Sequence, residues 1–436
     1  MNITRRFAST AASAAKNHHK VLVVGAGSGG LSVANQIYNR FKKGGQALGD
    51  GDVAIVDGAE WHHYQPGWTL VGSGLKEKHD LRRPLASLIP SHIAHHPSHV
   101  SKFSPDNNSV TTTSGETLTY DTLVVAAGLQ INWSAIEGLE KALADPRSGV
   151  SSIYSYDTCD KAWKDIDALR EGRAIFTQPA GVIKCAGAPQ KVMWMAWDRY
   201  QRTKRGEQIE MDFITGMPTM FSVKKYSDAL NELRQARGVG GKFGHNLVAI
   251  DTGAQKATFK TPDGSTVTEN YSLIHVTPPM GPLNTIKGSA LADATGWVDV
   301  NDATLQHKNP AYSNVFSLGD CSSLPTSKTA AAITAQAPVL TENLYQVVNT
   351  GKVGNAAYDG YTSCPLLTGY DQLMLAEFVY GLKPKETFAE LFGIDQIKPR
   401  KAFYHLKKDF FPWVYFNRMV KGEWFGPKGL SAPIYS

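Results

Sequence analysis

The stretch VLVVGAGSGGLSVANQIY, residues 21–38, decides the fold of this 436-residue chain. An apolar run leads into Gly25, Gly27 and Gly30, and a helical pattern follows at once. In a dinucleotide-binding βαβ unit, glycines at this spacing form the tight turn, admit a pyrophosphate and let helix and strand pack closely. The next apolar run, VAIVD, ends at Asp57, which is placed to bind a ribose hydroxyl pair. The order of strand, glycines, helix, strand and acid predicts an α/β domain of Rossmann type.

Two later apolar runs also end in turns that suit a dinucleotide. YDTLVVAAG closes on Ala127 and Gly128, and NVFSLGD closes on Gly319 and Asp320. These runs resemble the later fingerprints of the glutathione-reductase-like flavoproteins, in which the aspartate binds the ribitol chain that FAD has and NAD lacks. The resemblance implies FAD as the cofactor, and because no attachment site is evident we expect it to bind non-covalently.

A reductase that takes electrons from NAD(P)H carries a second glycine fingerprint, but here GVIKCAGAPQK occupies its place at residues 181–191. Cys185 lies there between a strand pattern and a helix pattern, beside Lys184 and six residues before Lys191. A helix N-terminus and nearby cations favour the thiolate and lower the pKa of a cysteine. The sequence therefore predicts a second Rossmann-like domain that carries a reactive cysteine.

Charge and hydropathy limit the classes of function. The net charge is +6, but Arg5, Arg6, Lys16 and Lys20 contribute four of these charges, so the rest of the chain is near +2 and nucleic acid is not implied as a partner. The leader is rich in serine and alanine and has no acid, which is typical of a mitochondrial transit peptide. No run of about 18 apolar residues occurs, so the sequence predicts a soluble or peripheral protein.

The fingerprints divide the chain into five parts. We expect a transit peptide at 1–19, the first half of an FAD domain at 20–150, the second Rossmann-like domain at 151–280, the second half of the FAD domain at 281–355, and a C-terminal part at 356–436.

Four cysteines in a protein of this size do not indicate a disulfide framework. Cys185 and Cys364 both lie in turn-rich segments, whereas Cys159 and Cys321 are expected to pack in helix and core. The histidines have no spacing that indicates a metal site.

Several long strings carry a closer resemblance: YQPGWTLVGSG, KCAGAPQK, HVTPPM, LGDCSSLPTSKTAAA and YDGYTSCPLLTGY. Together they resemble the mitochondrial sulfide:quinone oxidoreductases over nearly the whole chain after residue 20. The resemblance implies that Cys185 and Cys364 flank the flavin and relay sulfur, and that Gln65 belongs to the FAD site. Some bacterial relatives carry a third cysteine, and the matching position here is Tyr154.

The resemblance also implies a reaction. Hydrosulfide opens a bridge between the two cysteines by thiol exchange, which leaves a persulfide on Cys364 and a thiolate on Cys185. Electrons pass through FAD to ubiquinone, and the sulfur passes to a small nucleophile such as glutathione, sulfite or coenzyme A. Because the reacting species are anions, we expect cations at the site. The candidates are Lys191, Lys407 and, near the flavin edge, Lys328.

The segment 398–429 interleaves eight cations with nine aromatic side chains. Such a mixture suits a membrane–water boundary, and a quinone with an isoprenoid tail stays in the bilayer. We expect monotopic attachment to the matrix side of the mitochondrial inner membrane. Part of the segment can instead belong to the core, since Pro412 interrupts any single long helix.

Two alternatives remain open at the level of sequence. A type II NADH:quinone oxidoreductase shares the two-domain plan and peripheral attachment, but it needs a nicotinamide fingerprint where Cys185 stands. A flavin-bearing sulfide sensor or membrane scaffold without turnover would bind FAD but would not reduce a quinone.

Overall fold

A computed structural model describes residues 17–46 and 48–435. Most of the expected transit peptide lies outside this range. The first strand begins at His18, inside the range assigned to the leader, and His19 is completely buried. The His19 Nδ1 atom lies 2.7 Å from the Gly51 carbonyl oxygen. Residues 18 and 19 are therefore part of the folded domain.

The first sheet is the Rossmann-like sheet that the glycine stretch predicts. Its strands are His18–Val24, Val53–Val56, Ala94–His96, Val100–Ser104, Ser109–Thr112, Thr117–Val125 and Val315–Ser317. The strands at 94–96, 53–56, 18–24, 117–125 and 315–317 lie side by side and run parallel. Val53–Val56 is buried on both faces, which explains why this strand is a continuous apolar run.

The register of this sheet places its three fingerprint turns at one edge. Val125 is paired with Val24 on one side and with Ser317 on the other. Because these strands are parallel, the turns that follow them emerge together at the carboxyl end of the sheet, where ligands of doubly wound folds bind.

The second domain contains a parallel sheet of five strands. In spatial order they are Val150–Ser151, Leu273–His275, Gly172–Gln178, Ile209–Thr215 and Gly240–Phe243. An antiparallel sheet of Asn246–Asp251, Lys256–Lys260 and Thr266–Asn270 packs with it, and the sequence pattern did not predict this sheet. Ile136, Leu139 and Ala142 belong to the same hydrophobic core, so the packing of this domain starts before residue 151.

The smaller strand pairings join the parts of the chain. Gln130–Ile131 pairs with Met280–Gly281, and Trp61–His63 pairs with Arg82–Pro84. In the C-terminal part, Thr362–Gly369, Gln372–Val379 and Lys383–Pro384 form an antiparallel sheet.

The α-helices are Ser28–Lys43, Trp68–Val71, Leu139–Ala144, Cys159–Ala168, Ala188–Arg202, Lys224–Ala236, Asn284–Lys287, Ala330–Thr350, Thr387–Phe392, Lys401–His405 and Phe411–Asn417. None of the helices in the described part of the chain is long and apolar enough to cross a membrane. The predicted α/β fold with Rossmann-like sheets is confirmed.

The end of the chain packs on the dinucleotide-binding helix. A π-helical turn, Leu406–Phe410, separates the last two α-helices. Pro412 lies in the first turn of the helix Phe411–Asn417, where the missing backbone N–H of proline removes no hydrogen bond from the helix. Beyond it, the Ser32 hydroxyl donates to the Met419 carbonyl at 2.9 Å. The Asn35 amide donates to the Val420 carbonyl, also at 2.9 Å.

Candidate functional site

Cys185 lies in a strained turn between the strand Gly172–Gln178 and the helix Ala188–Arg202. Its φ is +53°, a left-handed conformation that a residue other than glycine rarely adopts. Its N–H donates to the Lys328 carbonyl at 2.8 Å, and its carbonyl accepts from the Ala188 N–H at 2.8 Å. Such strain persists where surrounding contacts enforce it, often at functional positions.

The Cys364 thiol meets Cys185 from a different part of the chain. Cys364 lies on the strand Thr362–Gly369 and is only 3% exposed. Each of the two cysteines is the largest influence on the pKa of the other, and both are free. A Cβ atom on Gly187 would stand 2.5 Å from the Cys364 sulfur. The glycine in the cysteine turn is therefore what lets the two sulfurs approach.

A buried ammonium balances the charge of the sulfur pair. Lys191 is 1% exposed, and its Nζ lies 3.3 Å from the Cys185 sulfur. The neighbouring Cys364, together with Lys191 and Lys407, holds the pKa of Cys185 well below its usual value despite burial. Cys185 and burial raise the pKa of Cys364. Negative charge is therefore favoured at Cys185, the sulfur that the Lys191 ammonium contacts.

Lys407 is the second buried cation. It comes from the π-helical turn of the C-terminal part, and its Nζ donates to the Pro66 carbonyl at 2.7 Å. Burial and the neighbouring Lys191 lower its pKa to about 7. Lys191 has the opposite shift: burial alone would lower its pKa, but the two cysteines raise it above its usual value.

A cavity of about 530 Å³ extends from the glycine stretch to the cysteine turn. Its wall contains most of the predicted site residues: Gly27, Gln65, Gly128, Cys185, Lys191, Gly319, Asp320, Lys328 and Lys407. Cys364 lies directly behind this wall, and its neighbours Ser363 and Pro365 line the cavity. The structure thus brings the predicted cofactor residues and the predicted sulfur residues to one place.

The glycine stretch is shaped to hold a dinucleotide. Gly25 has a φ of +97°, and a Cβ there would stand 2.6 Å from the Ala126 carbonyl oxygen. A Cβ on Gly30 would collide with the Gly25 carbonyl, whereas a Cβ on Gly27 would meet nothing within 4 Å. Gly25 and Gly30 therefore shape the turn, and Gly27 leaves room for a ligand at the helix N-terminus.

Asp57 and Ala127 lie outside the cavity wall. One oxygen of the Asp57 carboxylate accepts from the Ala26 N–H at 2.6 Å and the other from the Ala59 N–H at 2.8 Å. Asp57 therefore holds the glycine turn in its conformation. Ala127 lies between Ala126 and Gly128, which both line the cavity.

Gln65 is part of a polar contact that sequence reasoning missed. The Lys184 Nζ donates to the Gln65 Oε1 at 2.8 Å and lies 5.3 Å from the centroid of the Trp68 ring. Burial lowers the pKa of Lys184 to about 8. The indole N–H of Trp68 is buried and has no hydrogen-bond partner among the described residues. A ligand with hydrogen-bond acceptors, such as a flavin dinucleotide, fits this wall.

Asp320 and Lys328 lie beside Lys184 on the same wall, since Lys184 and Lys328 form a parallel backbone bridge. Burial raises the pKa of Asp320, and the ammonium groups of Lys328 and Lys184 oppose this shift. The Lys328 Nζ donates to the Ser322 carbonyl at 3.0 Å and stacks 4.0 Å from the centroid of the Trp297 ring. Lys328 comes just before Thr329, the N-cap of the helix Ala330–Thr350, so its ammonium adds to the positive end of that helix.

The C-terminal part closes the cavity near the glycine stretch. The Tyr415 hydroxyl lies 2.7 Å from the His62 Nε2 and 2.6 Å from the Ser28 Oγ. The His62 Nδ1 donates to the Ala26 carbonyl at 2.9 Å, and burial lowers the pKa of His62 to about 4. His62 is therefore neutral, and its Nε2 accepts from Tyr415. The pairing of His62 with Tyr415 had no signal in the sequence, because 353 residues separate the two.

The rim of the cavity is apolar. Leu391 and Phe392 line it and are each 67% exposed. Phe410, Phe411 and Trp424 complete the apolar rim. Of the aromatic residues in the segment 398–429, Phe403, Tyr404 and Tyr415 are buried, and Trp413 is 53% exposed.

The helix Thr387–Phe392 lies outside the segment that the sequence singled out, and buried polar groups hold it in place. The Glu377 carboxylate accepts from the Thr387 N–H at 2.8 Å and from the Gln396 amide at 2.9 Å. The Gln396 Oε1 in turn accepts from the Phe388 N–H at 2.6 Å. These contacts satisfy the first N–H groups of the helix.

The chain is similar to known proteins over most of its length. The pyridine nucleotide-disulphide oxidoreductase family matches residues 19–173. The mitochondrial sulfide:quinone oxidoreductase of Schizosaccharomyces pombe is 50% identical over 444 residues, covering 98% of this chain and 96% of the relative. The protein of the same name from Dictyostelium discoideum is 45% identical over 421 residues, which cover 96% of this chain and 90% of the relative.

A solved structure shares the fold. The sulfide:quinone oxidoreductase of Aquifex aeolicus superposes with a TM-score of 0.73 at 20% identity, covering 92% of each chain.

Proposed function

Because the chain belongs to the mitochondrial sulfide:quinone oxidoreductase family, we propose that it oxidises hydrogen sulfide at the Cys185–Cys364 pair and passes the electrons through FAD to ubiquinone. One observation carries the proposal: Cys185 and Cys364, 179 residues apart in sequence, meet beside a buried ammonium at the wall of the cavity that the glycine stretch also lines. We place the protein on the matrix side of the mitochondrial inner membrane.

In the proposed reaction, hydrosulfide attacks a disulfide between the two cysteines. The S–S bond breaks, a persulfide forms on Cys364, and Cys185 leaves as a thiolate. Cys185 is the better leaving group, because the Lys191 ammonium lies 3.3 Å from its sulfur and stabilises its thiolate. The electrostatic asymmetry of the pair thus supports this assignment of roles.

The cations around the pair stabilise each anion of the cycle. Lys191 touches the Cys185 sulfur, and Lys407 lies close enough to favour the thiolate electrostatically. The outer sulfur of the persulfide is transferred to a small nucleophile such as glutathione, sulfite or coenzyme A, which leaves a thiolate on Cys364. The disulfide forms again as the two cysteines lose two electrons; bound FAD would supply the acceptor for these electrons and the route to quinone.

The proposed cofactor site uses the residues that line the cavity. Gly27 and the N-terminus of the helix Ser28–Lys43 would hold the pyrophosphate. Asp320 would accept from the ribitol hydroxyls, and Lys328 would favour negative charge at the ring edge. No covalent attachment is required.

Anaerobic titration of the purified holoenzyme tests the function directly. We expect sulfide to bleach the flavin absorbance in stoichiometric proportion and NADH to leave it unchanged, since Cys185 stands where a nicotinamide fingerprint would be needed. Adding a quinone analogue should then restore the absorbance. Bleaching by NADH and not by sulfide would instead identify a type II NADH:quinone oxidoreductase. Bleaching by neither would identify a sensor or scaffold.

We also propose that the apolar rim attaches the protein to the membrane surface and admits the quinone. The rim residues Leu391 and Phe392 are exposed, and Phe410, Phe411 and Trp424 continue the same surface into the cavity. An exposed apolar patch at the mouth of a cavity is typical of a membrane or ligand contact. Lipid-soluble quinone could pass from the bilayer into the site without crossing water.

The double variant Leu391→Ser, Phe392→Ser is expected to bind lipid vesicles at least about tenfold more weakly, since burial of each large apolar side chain contributes about 1.5–3 kcal/mol. Flotation with vesicles of phosphatidylcholine and cardiolipin measures the binding of each protein to the membrane. Val348→Ser is the matched control, because Val348 is 46% exposed but lies on the helix Ala330–Thr350, away from the rim. Equal flotation of the wild type and the double variant would contradict the membrane proposal.

A further inference from the structure

An arginine beside the apolar rim has no acidic partner in the described part of the chain. Arg83 is exposed and lies on the short strand Arg82–Pro84. The Asp80 carboxylate, three residues earlier, lies 3.3 Å from the His79 Nε2 instead. The positive charge of Arg83 is therefore available to an anion from outside the fold.

Contacts within the protein fix the plane of the Arg83 guanidinium. Its central carbon lies 4.5 Å from the centroid of the Phe416 ring. Its Nη1 donates to the Asp80 carbonyl at 2.9 Å and to the Arg82 carbonyl at 2.6 Å. Its Nε and Nη2 groups donate to no atom of the described residues. The protein thus holds one side of the guanidinium and leaves the edge formed by Nε and Nη2 open.

Arg40 shows what such an edge binds in this protein. Its guanidinium also stacks on an aromatic ring, with the central carbon 3.6 Å from the centroid of Tyr345. Its Nε and Nη2 donate to the two carboxylate oxygens of Glu342 at 2.5 and 3.0 Å. The same edge of Arg83 is therefore arranged for an anion that offers two oxygens, as a carboxylate or a phosphate does.

Arg83 borders the aromatic surface of the rim. Phe416 lies on the helix Phe411–Asn417 three residues after Trp413, so the two side chains are neighbours on the helix surface. Trp413 is exposed, and its ring centroid lies 6.1 Å from that of Phe410 in the rim. The aromatic surface is therefore continuous from the rim to Arg83.

A membrane that contacts the rim would bring its head groups to this arginine. Each phospholipid carries a phosphodiester with two unbridged oxygens, which suits two parallel N–H groups of a guanidinium. A cation at the membrane surface is attracted most strongly by a leaflet that contains acidic lipids. The open edge of Arg83 therefore fits the head group of an acidic phospholipid.

We propose that Arg83 binds the phosphate of an acidic phospholipid through its Nε and Nη2 groups. This proposal rests on the proposed function, in which the apolar rim contacts the membrane. The rim supplies apolar contact to any bilayer, and Arg83 adds a preference for bilayers that carry negative charge. The Phe416 ring holds the guanidinium in place for this contact.

The test compares Arg83→Gln with the wild type by flotation of the holoenzyme with two kinds of vesicles. One kind is made of phosphatidylcholine, and the other of phosphatidylcholine mixed with phosphatidylglycerol. The loss of one arginine is expected to weaken binding to the acidic vesicles about fivefold and to leave binding to the neutral vesicles unchanged. Unchanged binding of Arg83→Gln to the acidic vesicles would overturn the proposal.

Arg82→Gln is the matched control, because it removes the same charge from the preceding residue. The Arg82 guanidinium also has no ion pair among the described residues, and its central carbon lies 3.9 Å from the centroid of the Trp61 ring. Adjacent residues of a strand point to opposite faces, so Arg82 lies on the face away from Phe416. We expect Arg82→Gln to float as the wild type does. An equal loss in both variants would overturn the proposal, since net charge alone would explain it.

Two further measurements identify the occupant of the site. Calorimetric titration of the holoenzyme with inorganic phosphate, without vesicles, should show no saturable binding that depends on Arg83; such binding would identify a free anion and overturn the lipid assignment. Equal flotation of the wild type with both kinds of vesicles would overturn this proposal and leave the attachment by the rim intact. Flotation with neither kind would overturn the attachment as well.

Discussion

Replacing Cys185 or Cys364 by serine is expected to lower sulfide-dependent quinone reduction by about 10³-fold or more, as is usual when a covalent nucleophile is removed. A serine cannot form the bridge that hydrosulfide opens, and it cannot hold sulfane sulfur. Steady-state reduction of a soluble quinone analogue measures the loss. On anaerobic addition of sulfide, neither variant should show the normal long-wavelength absorbance of a thiolate beside the flavin.

Cys159→Ala is the control for both variants. Cys159 is buried in the helix Cys159–Ala168, and burial raises its pKa, so it is not expected to react. Its activity should stay within about twofold of the wild type, as expected for a residue outside the reacting unit. Full turnover by either serine variant would contradict a relay through the pair.

Replacing Lys191 by methionine is expected to slow flavin reduction by sulfide about 10- to 100-fold at neutral pH, because an opposite charge at this distance typically moves a pKa by about 1–3 units. Lys191 holds the pKa of Cys185 down, so its loss raises that pKa. The rate that depends on the thiolate falls as pH decreases through the pKa of Cys185. The acid limb of the pH profile should therefore move to higher pH.

Lys191→Arg distinguishes the effect of the positive charge at this position from the effect of the shape of the lysine side chain. Arginine keeps a positive charge beside the sulfur, so the acid limb should stay close to that of the wild type even if the rate falls. Stopped-flow measurement of flavin bleaching between pH 5.5 and 9 compares the three proteins. If Lys191→Met keeps the wild-type acid limb, the charge of Lys191 does not control the thiolate.

The sequence was sufficient for the fold class because the decisive signals are local. The glycine stretch, the strand before it and Asp57 fall within 37 residues, and the register of the sheet brings the later fingerprints to the same edge. The resemblance to the mitochondrial sulfide:quinone oxidoreductases is likewise confirmed by the relatives. The roles assigned to single site residues remain predictions.

Other features depend on contacts that no local pattern encodes. The contact of Lys184 with Gln65 and the packing of Tyr415 against His62 each join distant segments. The exposure of Leu391 and Phe392 could not be predicted either, since a short apolar helix is usually part of a core. The buried Glu377 and Gln396 that bind the first N–H groups of this helix hold it in place.

The Tyr415–Ser28 contact joins residues 387 positions apart, and it has a consequence for biogenesis. The first strand and helix leave the ribosome early, yet the wall that covers them is among the last parts of the chain to be translated. A nascent polypeptide therefore cannot complete the wall of the proposed FAD site until this last part of the chain has been made. Nonsense mutations that remove only the residues after Phe411 should yield protein that folds its sheets but loses FAD during gel filtration.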